Sequence, residues 1–283
     1  MELNKKAWIQ KTLQEYWSQT ESFGHDIFVI ALQGSQNYEL DLYEDDYVSD
    51  IDAKALILPK FEDFVEGSSP ISHTYERPED EAHIDWKDIR VMFDLFRRQN
   101  ANFMEILFSD YYIVNPKYTN EWNLLRENAE RIAHAHPALA VKALTGMSGE
   151  KKVALKKPYP KTRAKIEKFG YDPKQLHHIV RINDFLGRYI RGVPYKECLV
   201  PINKDFLLDI KRGKYSEQEA TIMADEFDEA NKQLKNQFID THSLELIDEH
   251  AYDVLSEVKK QIFVDKFSEE ILDMKQKLGE MRK

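Results

Sequence analysis

Residues 26–58 read DIFVIALQGSQNYELDLYEDDYVSDIDAKALIL. The first eight, DIFVIALQ, are a β-branched apolar run, the pattern of a short strand buried on both faces. The run meets Gly34-Ser35, passes through a polar, acidic stretch to Ser49, and gives way to DIDAKALIL at 50–58, a second strand that Pro59 ends. Before these strands, residues 1–22 predict an amphipathic helix with Trp8, Leu13 and Trp17 inward, and Gly24 follows as its stop. After them, Gly67, Pro70 and Pro78 mark a loop, and HIDWKDI at 83–89 alternates as a third strand.

Beyond the third strand the spacing becomes helical, over 90–108, 119–135 and nearly everything from 172 onward. Asp172-Pro173 places an N-cap before a proline at the first helical position, and Ser216 with Glu219 three residues on is a capping box. The fold class is therefore α+β, with an α+β domain over 1–115 and a helical domain over 116–283.

The chain has 283 residues, 42% hydrophobic and 12% aromatic, enough to bury a sizeable core, which excludes general disorder. Ten Gly and ten Pro argue against a turn-dense all-β fold. The single Cys198 rules out an internal disulfide and a multi-thiolate zinc site, and a reducing cytosol is the expected setting. The longest clearly apolar run, IFVIAL, has six residues, so neither a secretory leader nor a membrane span is expected, and a cytoplasmic location is. A net charge of −10 speaks against a protein that coats nucleic acid over its whole surface. Residues 151–168 depart from that balance, with eight basic residues against one acid, Glu167. Two readings stand: a solvated loop, or a contact for phosphate or nucleic acid.

Gly34 lets the backbone turn and a ligand approach closely, and the amides of the following turn, with the Ser35 hydroxyl, suit a phosphate. In a strand, Asp50 and Asp52 point to one face about 6.5–7 Å apart along the chain. Such a pair is either an exposed acidic face or a hard-cation site, since Mg²⁺ prefers one or two carboxylates plus substrate phosphates. A third carboxylate on the next strand would complete a cluster. Asp85 and Asp88 fall on opposite faces, so one of them can join. Asp88 shares its face with Ile84 and Trp86, which read as core, and Asp85 is the choice.

These strings, with QNANFMEILF and FGYDPKQLHHIVR, make the chain resemble the DNA polymerase β-like nucleotidyltransferase superfamily, and within it a group of nucleotidyltransferases from bacteria and phages. The resemblance covers most of residues 28–181. It implies a small mixed sheet flanked by helices, and Mg²⁺-dependent (or Mn²⁺-dependent) transfer of a nucleoside monophosphate from an NTP to an acceptor hydroxyl, with pyrophosphate leaving. By position, Gly34 and Ser35 would hold the triphosphate. Asp50 and Asp52 would bind metal, and Asp85 would assist them or deprotonate the acceptor. The stretch between Ser35 and Asp50 departs from the superfamily, being long and rich in acids (Glu39, Asp41, Glu44, Asp45, Asp46), as a lid or acceptor-selecting insert would be.

After Asp172, Lys174, His177, His178 and Arg181 fall at i, i+3, i+4 and i+7 on one helical face, while Ile179, Ile182, Leu186 and Tyr189 occupy another that would bury. The first stripe reads as a solvated basic face or as a clamp on triphosphate, for which Lys174, His178 and Arg181 are the candidates. Glu105 reads as a buried brace, Asn100 as a cap and Cys198 as a small apolar residue. The acceptor is open between RNA, reached through Lys151–Lys168, a protein side chain and a small alcohol. Two other functions stay in view: a non-catalytic nucleotide- or RNA-binding regulator, and a kinase transferring the γ-phosphoryl group.

Overall fold

A computed structural model describes residues 2–44, 47–76, 82–160 and 162–281. Helix α1 (Glu2–Ser22) leads into β1 (Asp26–Gln33). A hairpin of β2 (Tyr43–Glu44) and β3 (Tyr47–Val48) precedes β4 (Asp52–Leu58). Then come α2 (Phe61–Val65), β5 (Ser72–Glu76), β6 (His83–Asp88), α3 (Ile89–Arg97), α4 (Ala101–Met104) and β7 (Tyr112–Val114). The helical region comprises α5 (Thr119–Glu127), α6 (Ala129–Ala133), α7 (Pro137–Ala154), α8 (Arg163–Phe169) and α9 (Pro173–Tyr189), followed by α10 (Tyr195–Leu199), α11 (Lys204–Lys211), α12 (Glu217–Thr241) and α13 (Glu249–Met281). No helix among the described residues is long and apolar enough to cross a membrane.

The main sheet has the order β5-β6-β4-β1-β7 and is mixed: β4 and β6 are parallel, and the other pairs are antiparallel. Strand β1 has the predicted bounds. Strand β4 begins at Asp52, two residues later than predicted, because pairing with β1 ends where Gln33 faces Asp52. The predicted loop after Pro59 contains α2 and β5. Strand β5 (SHTYE) lies at the sheet's edge, largely exposed, so it carries no apolar pattern to read.

Each face of the sheet has its own cover. Ile30, Leu32, Ala55 and Ile57 pack on Ile9, Leu13 and Tyr16 of α1. Those three are the apolar part of the helix's buried face, while Trp8, expected inward, is exposed. The opposite sheet face, with Phe28, Val29, Ala31 and Leu56, belongs to one core that runs through Phe93, Trp122, Ile179 and Leu186 as far as Ile262 of α13. Both helix caps read from the sequence form: Asp172 accepts from the Lys174 amide at 3.0 Å, and Ser216 and Glu219 close their box.

Trp122 is fully buried, with Phe28 and Tyr112 edge-on to its indole at 5.9 and 5.6 Å between ring centres. Trp122→Ala is expected to cost about 3–5 kcal/mol, read as a lowered urea midpoint. Leu272→Ala, at a site 69% exposed, is expected to stay within about 0.5 kcal/mol of wild type.

Candidate active site at the sheet's polar end

Gly34 follows β1 at φ 87°, ψ −151°, a backbone region essentially closed to side chains. Its N–H donates to Glu105 Oε1 at 3.0 Å, and a 3₁₀ turn (Ser35–Tyr38) begins directly after it. A Cβ built on Gly34 would stand 4.0 Å from Asp52 Oδ2, so the loop and the acidic strand are in direct contact, as their order in the sequence suggests.

Asp52 opens β4. Its Oδ1 accepts the His83 backbone N–H at 3.2 Å and lies 2.7 Å from His83 Nδ1. That bond raises the His83 pKa above its usual value, against the opposing effect of burial. Asp50 lies just before the strand, where Gln36 Nε2 reaches its carbonyl at 3.5 Å and Tyr16 Oη donates to the next carbonyl, of Ile51, at 2.9 Å. Burial, and after it the charge of Asp52, push the Asp50 carboxyl up, while Lys174 and His83 pull it down. The two carboxylates therefore share one local field.

Asp85 stands on the same sheet face, opposite Lys54 in the β4–β6 register. Its Oδ1 accepts from Thr74 Oγ1 at 2.5 Å and its Oδ2 from Lys54 Nζ at 3.2 Å. Burial raises its pKa, but Thr74 and Lys54 outweigh it and hold the carboxyl below its usual range. Asp88, the other candidate, is 1% exposed and caps α3, accepting from the Arg90 amide at 2.8 Å and from its guanidinium. Asp85 is thus the strand carboxylate on the Asp52 face.

Across from these acids lies the first half of α9. Lys174 is exposed, and its charge acts on Asp50. The stripe does not carry four cations. Burial, then the neighbouring Arg181, Lys211 and Lys174 charges, lower the His177 pKa to about 3. Burial also depresses His178, followed by the effects of His177 and Arg181, so both imidazoles are neutral. Arg181 is turned inward, its guanidinium 4.0 Å from the centre of the Tyr38 ring and in the field of Glu105. Glu105, 4% exposed, is pushed up to about 7 by burial, with Arg181 and the Gly34 amide opposing.

Lys211, which the sequence did not single out, completes the cationic side. It donates to Leu40 O and Ser49 Oγ, both at 3.1 Å. Burial lowers its pKa to about 8, and Asp50 acts against that. As a lysine in the last turn of α11, it looks like an ordinary partner for a helix C-terminus. Only the tertiary fold brings it to Ser49.

Three acids of the stretch after Ser35 are paired: Asp41 with Lys5 at 2.6 Å, Glu44 with Arg212 at 2.7 Å, and Glu39 with Lys204. Asp45 and Asp46 lie outside the described residues. Of the basic segment, Lys152 pairs with Asp225 at 2.8 Å and Lys156 with Glu217 at 2.6 Å, while Lys157, Arg163, Lys165 and Lys168 are exposed. Lys161 lies outside the described residues.

The donor set of Asp50 and Asp52 fits a hard divalent cation. Asp52 Oδ2 faces Gly34, Asp50 is raised partly by its acidic neighbour, and two carboxylates leave coordination places for phosphate oxygens. Both Asp85 oxygens accept hydrogen bonds, Oδ2 from Lys54 and Oδ1 from Thr74. Among the described residues, no group of three His, Cys, Asp or Glu is arranged to hold a metal ion.

No family model matches the chain, and no curated protein does. A solved structure described as a nucleotidyltransferase-like protein from Exiguobacterium sibiricum is similar over 94% of this chain and 80% of its own. Its identity is 11% and its TM-score 0.29.

The two displaced pKa values have opposite effects on stability. Glu105 titrates at about 7 folded against 4.5 ordinarily, so between those values the folded state keeps a proton that the unfolded chain has released, and stability falls as pH rises. His177 titrates at about 3 against 6.5, so the unfolded chain protonates first and stability falls as pH drops through that window. In urea titrations from pH 3 to 8, Glu105→Gln is expected to flatten the decline between about 4.5 and 7, and His177→Asn the acid-side decline. Unchanged slopes in both variants would refute these assignments.

Proposed function

We propose that this protein is a divalent-cation-dependent nucleotidyltransferase that moves a nucleoside monophosphate from an NTP to an acceptor hydroxyl. The observation that carries the reading is the meeting of three parts: Asp50 and Asp52, the glycine-only turn at Gly34-Ser35 beside Asp52, and the cations Lys174 and Lys211, whose charges couple to Asp50.

In this reading Asp50 and Asp52 hold Mg²⁺ or Mn²⁺, with Asp85 beside them on the same face. When bound, the ion supplies polarisation of the phosphoryl oxygens and of the attacking hydroxyl. The Ser35 hydroxyl and the amides of its turn receive the triphosphate. Lys174 and Lys211 neutralise the charge that gathers on the leaving pyrophosphate. His178, being neutral, serves as a hydrogen-bonding neighbour. Arg181 positions the loop through Tyr38 and Glu105. The exposed lysines and Arg163 of 151–168 favour a nucleic-acid acceptor, and the buried, free Cys198 suits a cytoplasmic setting.

The test offers Mg²⁺, each NTP labelled at the α- or γ-phosphate, and a cell extract with or without nuclease treatment. Wild type is expected to move α-label to an acceptor, with Asp50→Asn/Asp52→Asn slower by on the order of 10²–10³-fold or more. Loss of the product on nuclease treatment identifies a nucleic-acid acceptor. Movement of γ-label alone makes the protein a kinase. No transfer of either label, with no stabilisation by Mg·NTP, makes the non-catalytic reading the better one.

If RNA is the acceptor, replacing Lys157, Arg163, Lys165 and Lys168 by Gln is expected to lessen the salt dependence of RNA binding. The slope of log affinity against log salt should become shallower by about 0.7 for each RNA phosphate that the side chains no longer neutralise. NTP binding should be unchanged.

A further inference from the structure

Lys54 is a lysine in the middle of a core strand, flanked by Ala53 and Ala55, and only 4% exposed. Its three N–H donors point into a closed environment. Asp85 Oδ2 takes one, Gln33 Oε1 takes another, and the Phe103 ring lies 4.8 Å from the nitrogen. The strand register explains the arrangement: Asp52 and Lys54 are two residues apart on one face of β4, Gln33 ends β1 opposite Asp52, and Asp85 on β6 lies opposite Lys54.

In a two-ion phosphoryl-transfer site, carboxylates on neighbouring strands share a pair of cations. Here the space between Asp52 and Asp85 is served by an ammonium that belongs to the chain. Both oxygens of Asp85 are already used, by Lys54 and by Thr74 at 2.5 Å. An ion ligated by Asp85 would stand against the buried Lys54 ammonium that Asp85 Oδ2 already holds, and the two cations would repel with little water to screen them. Asp52 is divided differently. Oδ1 is held by the His83 amide and ring, and Oδ2 is turned toward the Gly34 loop.

We infer that Lys54 is a built-in substitute for the second cation, so that the site takes a single divalent ion, held by Asp50 and Asp52, while Asp85 serves to anchor Lys54. This rests on the metal-binding reading above. It departs from the sequence-based expectation in which Asp85 joins Asp50 and Asp52 in binding metal. Lys54 is then a positioning residue: its ammonium, held by Asp85 two residues along the strand face from Asp52, occupies the place of a second ion.

The experiment counts ions rather than turnover. Mn²⁺ alone is titrated into the full chain, and free Mn²⁺ is followed by electron paramagnetic resonance, with Asp50→Asn/Asp52→Asn defining the background of weak surface sites. Wild type is expected to bind one Mn²⁺ above that background, Lys54→Gln two, and Lys54→Gln/Asp85→Asn one again. Lys54→Arg, which keeps the charge, is expected to bind one.

Two ions in wild type would overturn the inference and leave the metal site standing. A single ion in Lys54→Gln would also overturn it, by showing that Lys54 was not what kept Asp85 from a metal. No Mn²⁺ above background in wild type would remove the metal-binding reading itself. Should Lys54→Gln not fold, the wild-type count still decides between one ion and two.

Discussion

The Gly34 amide and the Glu105 carboxylate, 3.0 Å apart, join parts of the protein that no local sequence connects. Glu105 has left water, and a carboxylate so placed needs partners of matching charge or directed dipole. It finds the Gly34 N–H on one side and the Arg181 charge on the other. Arg181 in turn covers Tyr38, which ends the 3₁₀ turn that Gly34 starts. Loop, α9 and the segment after α4 therefore fix one another. Once Arg181 is turned inward to serve Glu105, the helical period leaves Lys174, two turns earlier, near the acidic strand.

A second constraint sets the cationic side. The acids after Ser35 contribute to docking: Asp41 holds α1 through Lys5, Glu44 reaches Arg212 just past α11, and Glu39 reaches Lys204 at that helix's start. Individually the two more exposed pairs, at the ends of α11, are worth little. Together they span α11 from end to end, and Lys211, at its last turn, drops onto Leu40 O and Ser49 Oγ. A stretch that reads in one dimension as a lid is, in three, part of what brings a lysine into the field of Asp50.

Much of this was legible in the chain itself. The limits of β1 follow from a β-branched run bounded by polar residues, and the caps at Asp172 and Ser216 from local chemistry. The choice of Asp85 over Asp88 follows from strand parity. The neutral histidines were not legible, because 3.6-residue spacing says which residues share a stripe but not how deeply the stripe is buried. His177 is 6% exposed. Lys211 lies 171 residues from the carbonyl it binds, beyond any local pattern. Lys54 is an intermediate case. A lysine inside DAKALIL contradicts its apolar surroundings, and such a residue announces a buried partner without naming it.

With His177 and His178 neutral, the charges around Asp50 and Asp52 come from His83, whose pKa Asp52 raises, on the strand side and from Lys174 and Lys211 on the helix side. Of the interior groups, Lys54 pairs with Asp85, and Arg181 lies in the field of Glu105. A free phosphate would be attracted by the lysines and repelled by the acids, and a free dication would meet the reverse. Under the proposed function, a nucleoside triphosphate carrying its metal meets both demands at once: its cationic part falls to the carboxylates and its anionic part to the lysines. Recognition then depends on the separation of charge within the ligand more than on its net charge. That is how a protein of net charge −10 can receive a polyanion without a strongly basic surface at its site.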